Sequence, residues 1–169
     1  MHLTQYSGYG LRALMYVGLK GEELSTIAEI AEAHSISRNH LMKVVQQLAA
    51  EGFVYSRRGK KGGIRLAAPP DRLSVGEVVR TLEPNLGVAD CMRADRRCVL
   101  VEVCRLRAKL REASEAFLAV LDGVTLADLL EGPAQQLVMK ELLGQEPTPG
   151  SVQLTGGDGP APCFASSMS

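Results

Sequence analysis

The stretch from residue 25 to residue 66 constrains the fold more than any other part of the sequence. Apolar residues at helical spacing indicate a short helix that begins after Thr26 with a capping box. A polar break over residues 34–37 separates it from a second helix, which Ser37 can cap and Gly52 can end. Two short helices joined by so tight a break are typical of a helix-turn-helix.

A hairpin is predicted directly after the second helix. Residues 53–57 and 64–66 suit two short strands, and the turn between them reads Arg58-Gly59-Lys60-Lys61-Gly62-Gly63. Its glycines permit the positive φ angles that a tight reversal of the chain requires. Helix, turn, helix and hairpin in this order predict a winged helix-turn-helix.

The charge of the chain is unevenly distributed, although the formal net charge is zero. Residues 36–66 hold seven basic side chains against Glu51 alone, whereas residues 22–34 hold four glutamates and no basic side chain. A neutral total excludes a histone-like polycation, but it leaves room for a local basic surface. The basic surface falls on the second helix and the hairpin, where DNA would be expected.

The candidate DNA-binding residues are the polar and basic side chains at the start of the second helix and around the hairpin. They are Ser37, Arg38, Asn39, His40, Lys43, Arg57, Arg58, Lys60 and Lys61. The helix N-terminus can present hydrogen-bonding groups to a major groove, and a lysine-tipped hairpin can approach phosphates or a minor groove. The plainer alternative is a solvated helix face and a surface turn.

The C-terminal half is expected to contain a long helix from Cys104 to Leu121. Its apolar side chains recur every three or four residues, a period typical of a coiled-coil seam: Leu106, Leu110, Ala113, Phe117 and Val120. A short helix is predicted at 126–131, and the Gly- and Pro-rich sequence beyond Gly144 is expected to be disordered. The predicted fold class is therefore mainly α, a winged helix-turn-helix with a long C-terminal dimerisation helix.

We divide the chain into four segments by composition and pattern. They are a winged helix-turn-helix DNA-binding domain (1–83), a cysteine loop (84–103), the dimerisation helix with the short helix (104–131), and a tail expected to be disordered (132–169).

Three of the four cysteines are candidate ligands of an inorganic centre. Cys91, Cys98 and Cys104 follow a C-x6-C-x5-C spacing, which is neither the paired spacing of a zinc ribbon nor that of a small ferredoxin. Three thiolates could face one centre and leave a four-iron cluster one ligand short. Arginines near the cysteines would offset the negative charge: Arg93, Arg96, Arg97 and Arg105. The alternative is three reduced thiols; Cys163 in the tail is expected to be a free thiol.

Several motifs, in order along residues 1–131, carry a resemblance to a known family. They include Tyr9-Gly10-Leu11-Arg12-Ala13-Leu14, Ile27-Ala28-Glu29-Ile30-Ala31, Ser37-Arg38-Asn39-His40-Leu41, Val79-Arg80-Thr81-Leu82-Glu83-Pro84 and Val124-Thr125-Leu126-Ala127-Asp128-Leu129. The sequence resembles the iron–sulfur winged-helix repressors of the IscR, NsrR and RirA type, and the NsrR-like branch most of all.

The resemblance implies a homodimer that binds a palindromic operator in double-stranded DNA. It implies an iron–sulfur cluster on Cys91, Cys98 and Cys104, with 4Fe–4S favoured over 2Fe–2S, and release of DNA when nitric oxide attacks the cluster. NsrR-like proteins commonly carry an aspartate before the Tyr-Gly-Leu-Arg motif, which reaches across the dimer as the fourth ligand. Gly8 stands there in this chain, and Arg12 lies one helical turn further on, where a charge contact with the cluster region is expected.

The predicted function is that of a DNA-binding transcriptional repressor that senses nitric oxide or redox state through an iron–sulfur cluster. Two alternatives stay open: a cluster-free winged-helix regulator whose thiols respond to oxidation, and an iron–sulfur carrier or electron-transfer protein. No constellation of catalytic residues is recognisable, so we do not expect an enzyme. The sequence shows neither a stretch of apolar residues long enough for a membrane span nor a secretory signal, so a cytoplasmic location is expected.

Overall fold

The computed structural model describes residues 3–92, 98–100, 102–132, 137, 141 and 143–144. In this part of the chain the helices and strands follow in the order α1 (Gln5–Lys20), α2 (Ile27–Ala33), α3 (Arg38–Ala50), β1 (Val54–Arg57), β2 (Gly63–Leu66), α4 (Val75–Leu82), α5 (Arg105–Asp122) and α6 (Leu126–Leu130). Short 3-10 turns lie at Pro70–Arg72 and Asp90–Met92. The mainly α fold class and the predicted order of elements are confirmed.

The helix-turn-helix forms largely as its local sequence predicts. The Thr26 hydroxyl accepts a hydrogen bond from the Glu29 N–H at 3.2 Å, and the Glu29 carboxylate accepts one from the Thr26 N–H at 2.6 Å, so the predicted capping box is present. That backbone hydrogen bond holds the pKa of Glu29 below its usual range. Ser37 is the N-cap residue of α3, as predicted, but its hydroxyl makes no capping hydrogen bond.

The wing is an antiparallel hairpin of β1 and β2 that pairs Val54 with Leu66 and Arg57 with Gly63. Ser25, just before α2, pairs with β2 as an isolated antiparallel bridge, a short third edge of the sheet, through two backbone hydrogen bonds with Ile64 at 2.9 and 2.8 Å. A Cβ at Gly63 would lie 2.8 Å from the Ser25 carbonyl oxygen, so this close approach requires glycine. The third edge ties the wing to the start of the helix-turn-helix.

The main hydrophobic core lies between α1, α2, α3 and the wing. The inward face of α3 consists of the residues that its apolar pattern predicts: Leu41, Val44, Val45 and Leu48. Leu14 and Val17 of α1 and Ile30 of α2 are completely buried against them. Each such side chain contributes roughly 1.5–3 kcal/mol by leaving water, and the polar face of α3 is thereby directed outwards.

The long helix α5 is joined to this body through its C-terminal half. A Cβ at Gly76 of α4 would lie 2.8 Å from the backbone nitrogen of Asp122, which shows how closely the two helices approach. Arg80 donates two hydrogen bonds to the Asp122 carboxylate, and Leu118 packs on Val79. α6 then turns back so that Leu126 is buried in the main core.

The face of α5 that does not pack on α4 presents most of the apolar seam to solvent. Leu106 is 65% exposed, Val120 is 70% exposed and Phe117 is 37% exposed, whereas Ser114 and Leu118 are the buried residues of the helix. The predicted seam is thus not part of the core of a single chain. Among the described residues, none of the helices has the length and apolar character that crossing a bilayer demands.

Candidate functional site

The first turn of α3 presents four of the predicted site residues together. Ser37, Arg38, Asn39 and His40 are all exposed, and Lys43 is exposed one turn further on. Because the opposite face of α3 is buried, the packing of the core fixes the direction in which these side chains point. The Ser37 hydroxyl makes no capping bond, so it is available to a ligand.

The wing carries the other four predicted residues, all of them exposed: Arg57, Arg58, Lys60 and Lys61. The Arg57 guanidinium donates a hydrogen bond to the Lys61 carbonyl oxygen at 2.6 Å, so this residue also shapes the turn. The two lysines lie between glycines at the tip. None of the ion pairs found in the described residues involves any of these four side chains.

A groove of about 300 Å³ lies between the start of α3 and the wing. It is lined by Arg38 at the start of α3, by Arg57 and Arg58 of the wing, and by Thr26 at the start of α2. Three guanidinium groups without acidic partners in the described chain suit the phosphate oxygens of a nucleic-acid backbone. The sequence predicted these residues one by one, and the fold places three of the nine beside one groove.

The back of α3 is held by a hydrogen-bond network that sequence reasoning missed. The Tyr6 hydroxyl of α1 lies 3.0 Å from the Lys43 carbonyl oxygen and 2.9 Å from the Gln47 side-chain oxygen, and its single proton is shared between these two acceptors. Gln47 donates in turn to the Thr81 carbonyl oxygen of α4 at 2.6 Å. Partial burial raises the pKa of Tyr6 above its ordinary value. No local signal marks a contact between positions 41 apart.

The three predicted cluster ligands are free thiols of intermediate exposure: Cys91, Cys98 and Cys104. Cys91 lies in the short turn Asp90–Met92, and Cys104 is the N-cap residue of α5. The Cys104 sulfur accepts a hydrogen bond from the Arg107 N–H at 3.4 Å. A sulfur atom thus occupies the place that a serine or aspartate oxygen commonly takes at a helix start.

A pocket of about 230 Å³ opens beside this sulfur. Met92, Glu102, Cys104, Arg107 and Arg111 contribute to its lining. The Nε atom of Arg107 is buried and makes no hydrogen bond. The Cys104 thiol and the unpaired Nε–H of Arg107 fit an anionic sulfur centre such as an iron–sulfur cluster.

The thiols do not converge on one point in the described part of the chain, where no group of three or more His, Cys, Asp and Glu side chains could hold a metal ion. Residues 93–97, between the first two cysteines, lie outside the described residues. The arginines expected to neutralise the thiolates at 93, 96 and 97 belong to that segment, and Cys163 lies outside as well. Arg105 is exposed in the first turn of α5.

Gly8 and Arg12 lie on α1. A Cβ at Gly8 would have no neighbour within 4 Å, so a larger side chain fits without a clash. Arg12 is exposed and acts on His34 of the turn: burial lowers the pKa of His34, and the positive charge of Arg12 lowers it further. The contact between Arg12 and His34 lies within one chain, whereas the resemblance implies that position 8 acts across a dimer.

Comparison with known proteins supplies the family context of these surfaces. The profile of the Rrf2 family, described as iron-dependent transcriptional regulator, matches residues 3–132. The HTH-type transcriptional regulator NsrR of Geobacillus kaustophilus (strain HTA426) is 49% identical over 147 residues, which cover 85% of this chain and 100% of the relative. The NsrR of Bacillus subtilis (strain 168) is 44% identical over 148 residues, covering 86% and 100%.

A solved structure with a similar fold is the oxidized form of Staphylococcus aureus CymR. It superposes with a TM-score of 0.64 at 26% identity and covers 78% of this chain and 98% of that one.

Proposed function

Because the chain belongs to the Rrf2 family and is thereby a transcriptional regulator rather than an enzyme, we propose that it represses transcription as a homodimer on a palindromic operator. Its affinity for DNA depends on an iron–sulfur cluster, and nitric oxide is the signal that the cluster detects. This is the activity that the groove between α3 and the wing and the pocket beside Cys104 support best.

The groove between α3 and the wing is the observation that carries the DNA-binding part of the proposal. Arg38, Arg57 and Arg58 line it without an acidic partner in the described chain, so their charges are available to phosphates. In this arrangement Ser37, Asn39, His40 and Lys43 contact base edges in the major groove, and Lys60 and Lys61 contact the flanking backbone or minor groove.

The donor set at the start of α5 supports the cluster. Cys91, Cys98 and Cys104 would hold it, and we propose 4Fe–4S, because three thiolates leave one iron open to a small molecule. The relatives that carry the name NsrR at 49% and 44% identity favour nitric oxide as that molecule. When bound, the cluster supplies the centre with which nitric oxide reacts.

A chain of contacts links the thiol loop to the recognition helix. Cys104 starts α5, whose last residue Asp122 is bound by Arg80 of α4. In the same helix, the Thr81 carbonyl oxygen accepts from Gln47 of α3. Closing the loop around a cluster would therefore favour one relative position of α5, α4 and α3. In a dimer, this position would set the two α3 helices about one DNA turn, ~34 Å, apart. A difference of about 2–4 kcal/mol in the free energy of DNA binding between the two states changes the affinity roughly 30- to 1,000-fold.

The cluster is tested by anaerobic purification of the full chain. The wild-type protein is expected to be brown, to absorb in the visible sulfur-to-iron charge-transfer region and to contain stoichiometric iron and sulfide. Cys98→Ser should abolish the colour, whereas Cys163→Ser, which removes the fourth cysteine, should keep it. Colourless wild-type protein with stoichiometric zinc would contradict the proposal.

The regulatory part is tested by binding to the promoter fragment that the chain retards most strongly among genomic fragments. The cluster-loaded protein is expected to bind at least tenfold more tightly than the same protein after nitric oxide or chelation. Equal affinity in the two states would contradict cluster-dependent regulation and leave DNA binding intact.

A second candidate is a cluster-free regulator that responds through its thiols. The fold similarity to CymR in an oxidized form and the three partly exposed thiols favour it over a carrier role, which would leave the basic groove without a purpose. It requires the iron-free protein to bind DNA specifically and to lose affinity on thiol oxidation. Iron and sulfide analysis of the anaerobic protein separates the two candidates.

A further inference from the structure

Among the described residues, Arg107 holds a buried side-chain nitrogen without a hydrogen-bond partner close to a candidate cluster ligand. Its Nε atom is buried and makes no hydrogen bond, although its backbone N–H donates to the Cys104 sulfur at 3.4 Å. Arg107 as a whole is half-buried, but its Nε–H has lost contact with water without gaining a hydrogen-bond partner, which costs free energy. An unpaired donor in this place indicates that its acceptor belongs to a group that binds to the folded chain.

The charge pattern of α5 points to an anion at the same place. The helix dipole makes its N-terminus partly positive, yet the first turn carries no acidic residue and includes Arg105 and Arg107. Lys109 and Arg111 further along are paired with Glu112 and Glu115 of the same helix. The unfavourable positive charge at the helix start is therefore left to an anion from outside the helix.

The carboxylate that lines this pocket does not fill this role. Glu102 lines the same pocket, but it is exposed and forms no ion pair with Arg107. The partner of Arg107 must reach a buried nitrogen beside the Cys104 sulfur. A thiolate-ligated sulfur centre held by Cys104 satisfies that requirement.

We propose that Arg107 is a positioning residue for the cluster: its Nε–H donates a hydrogen bond to a sulfur of the centre that Cys104 ligates, and its charge stabilises the more reduced state. This inference rests on the proposed function, since it needs the cluster. Hydrogen bonds to sulfur are among the means by which a protein sets the reduction potential and the lability of such a centre. Arg107 thus adjusts how readily the sensor is reduced and dismantled.

The test uses the anaerobic, cluster-loaded full chain and compares Arg107→Gln and Arg107→Lys with the wild type. Arg111→Gln is the matched control, because it removes an arginine from the same pocket that is paired with Glu115. The measurements are the iron content, the cluster reduction potential, the iron–sulfur stretching frequencies in resonance Raman spectra, and the rate of iron release to a chelator. Circular dichroism and the melting temperature report on the fold.

Arg107→Gln is expected to shift the reduction potential to more negative values and to alter the iron–sulfur stretches. Iron release should be about tenfold faster, as the loss of one charge-assisted hydrogen bond would cause. Arg107→Lys should restore part of the potential through its charge but not the stretching frequencies, and Arg111→Gln should resemble the wild type. If Arg107→Gln retains no iron at an unchanged melting temperature, that supports the inference as well.

The outcomes separate this inference from the proposal beneath it. Iron-loaded wild type and Arg107→Gln with the same potential and spectrum would overturn the role of Arg107 and leave the cluster in place. Wild-type protein without iron would overturn the proposed function and this inference together. A shift of equal size in Arg111→Gln would reduce the effect to general charge in the pocket and overturn the specific hydrogen bond.

Discussion

At the scale of single residues, Gly8 marks where this chain departs from the NsrR-like pattern. It lies in the first half of α1, where glycine costs roughly 0.5–1 kcal/mol relative to alanine, and no neighbour would obstruct a Cβ. Packing therefore does not require glycine at this position. In the arrangement that the resemblance implies, with position 8 reaching across the dimer, this chain supplies no side chain as the fourth ligand of the cluster.

Two replacements of Gly8 distinguish an effect on helix stability from an effect on ligation of the cluster. Gly8→Asp is expected to slow cluster loss in air because the carboxylate can ligate the open iron. Gly8→Ala should raise the free energy of unfolding by about 0.5–1 kcal/mol without slowing that loss. The decay of visible absorbance and urea unfolding measure the two effects, and equal decay rates for all three proteins would remove position 8 from the coordination.

The carboxyl of Asp122 offers a pH-dependent test of the contact between α4 and α5. The hydrogen bonds from Arg80 hold the pKa of Asp122 below its ordinary value. A carboxyl with a lowered pKa in the folded state contributes stability above its unfolded pKa, about 4, and this contribution is lost as the pH falls through the folded value. Asp122→Asn should therefore lower the melting temperature at pH 7, and the difference should shrink at acidic pH.

The control for this prediction is Glu112→Gln, which alters an exposed carboxylate paired only with Lys109 within α5. It should change the melting temperature little at either pH, because exposed pairs contribute little. A difference between wild type and Asp122→Asn that persists unchanged down to pH 3 would mean that the ion pair does not stabilise the contact.

At the scale of elements, the wing is paired with the rest of the fold at its base and carries exposed basic side chains at its tip. β2 is paired on one side with β1 and on the other with Ser25, and Arg65 pairs with Glu22 at 3.2 Å. The lysines at the tip have no such partner in the described chain. This division suits an element that is anchored in the fold and contacts a polyanion at its end.

Removing the two charges at the tip tests where the wing lies on DNA. Lys60→Ala combined with Lys61→Ala should weaken binding to every sequence alike. It should also reduce the slope of log affinity against log salt by about 1.8, at ~0.9 per phosphate contact. The matched control, Arg72→Ala with Lys109→Ala, removes the same charge away from the groove and should leave the slope unchanged. The same slope in the wing variant and in the wild type would place the wing away from the backbone.

At the scale of the whole molecule, the exposed seam of α5 is the feature that a single chain leaves unburied. Leu106 and Val120 are mostly exposed, and Leu3, Val88, Ala113 and Phe117 line an apolar pocket of about 400 Å³ beside the helix. Apolar surface of this extent on a long helix is typical of a contact between subunits. A homodimer through α5 remains the prediction that follows.

Charges on the seam should separate the subunits without unfolding them. Leu106→Glu with Val120→Glu changes side chains that contribute little to the core of one chain, so the helix content should be retained. Analytical ultracentrifugation should find a monomer, and operator affinity should fall steeply because the two half-sites are then bound independently. The control, Arg111→Ala with Glu115→Ala on the opposite face of α5, should stay dimeric. A dimeric seam variant would place the subunit contact elsewhere.

Much of the fold could be predicted because it depends on neighbours in sequence. The capping box at Thr26, the helix end at Gly52 and the apolar face of α3 each involve residues within a few positions of one another. The motifs that carried the resemblance identified the family correctly. The roles of the individual site residues and the domain boundaries stay predictions that the proposed experiments address.

The sequence alone determined the elements, the basic surface and the family, since helical period, turn chemistry and motif order are written in short stretches of chain. Only the tertiary structure decided which distant residues meet: Tyr6 with α3, Arg80 with Asp122, and Leu126 with the main core. It also decided that Arg107 keeps a buried nitrogen without a partner. Such contacts arise when helices pack, and packing depends on the fit of whole surfaces that no local pattern encodes.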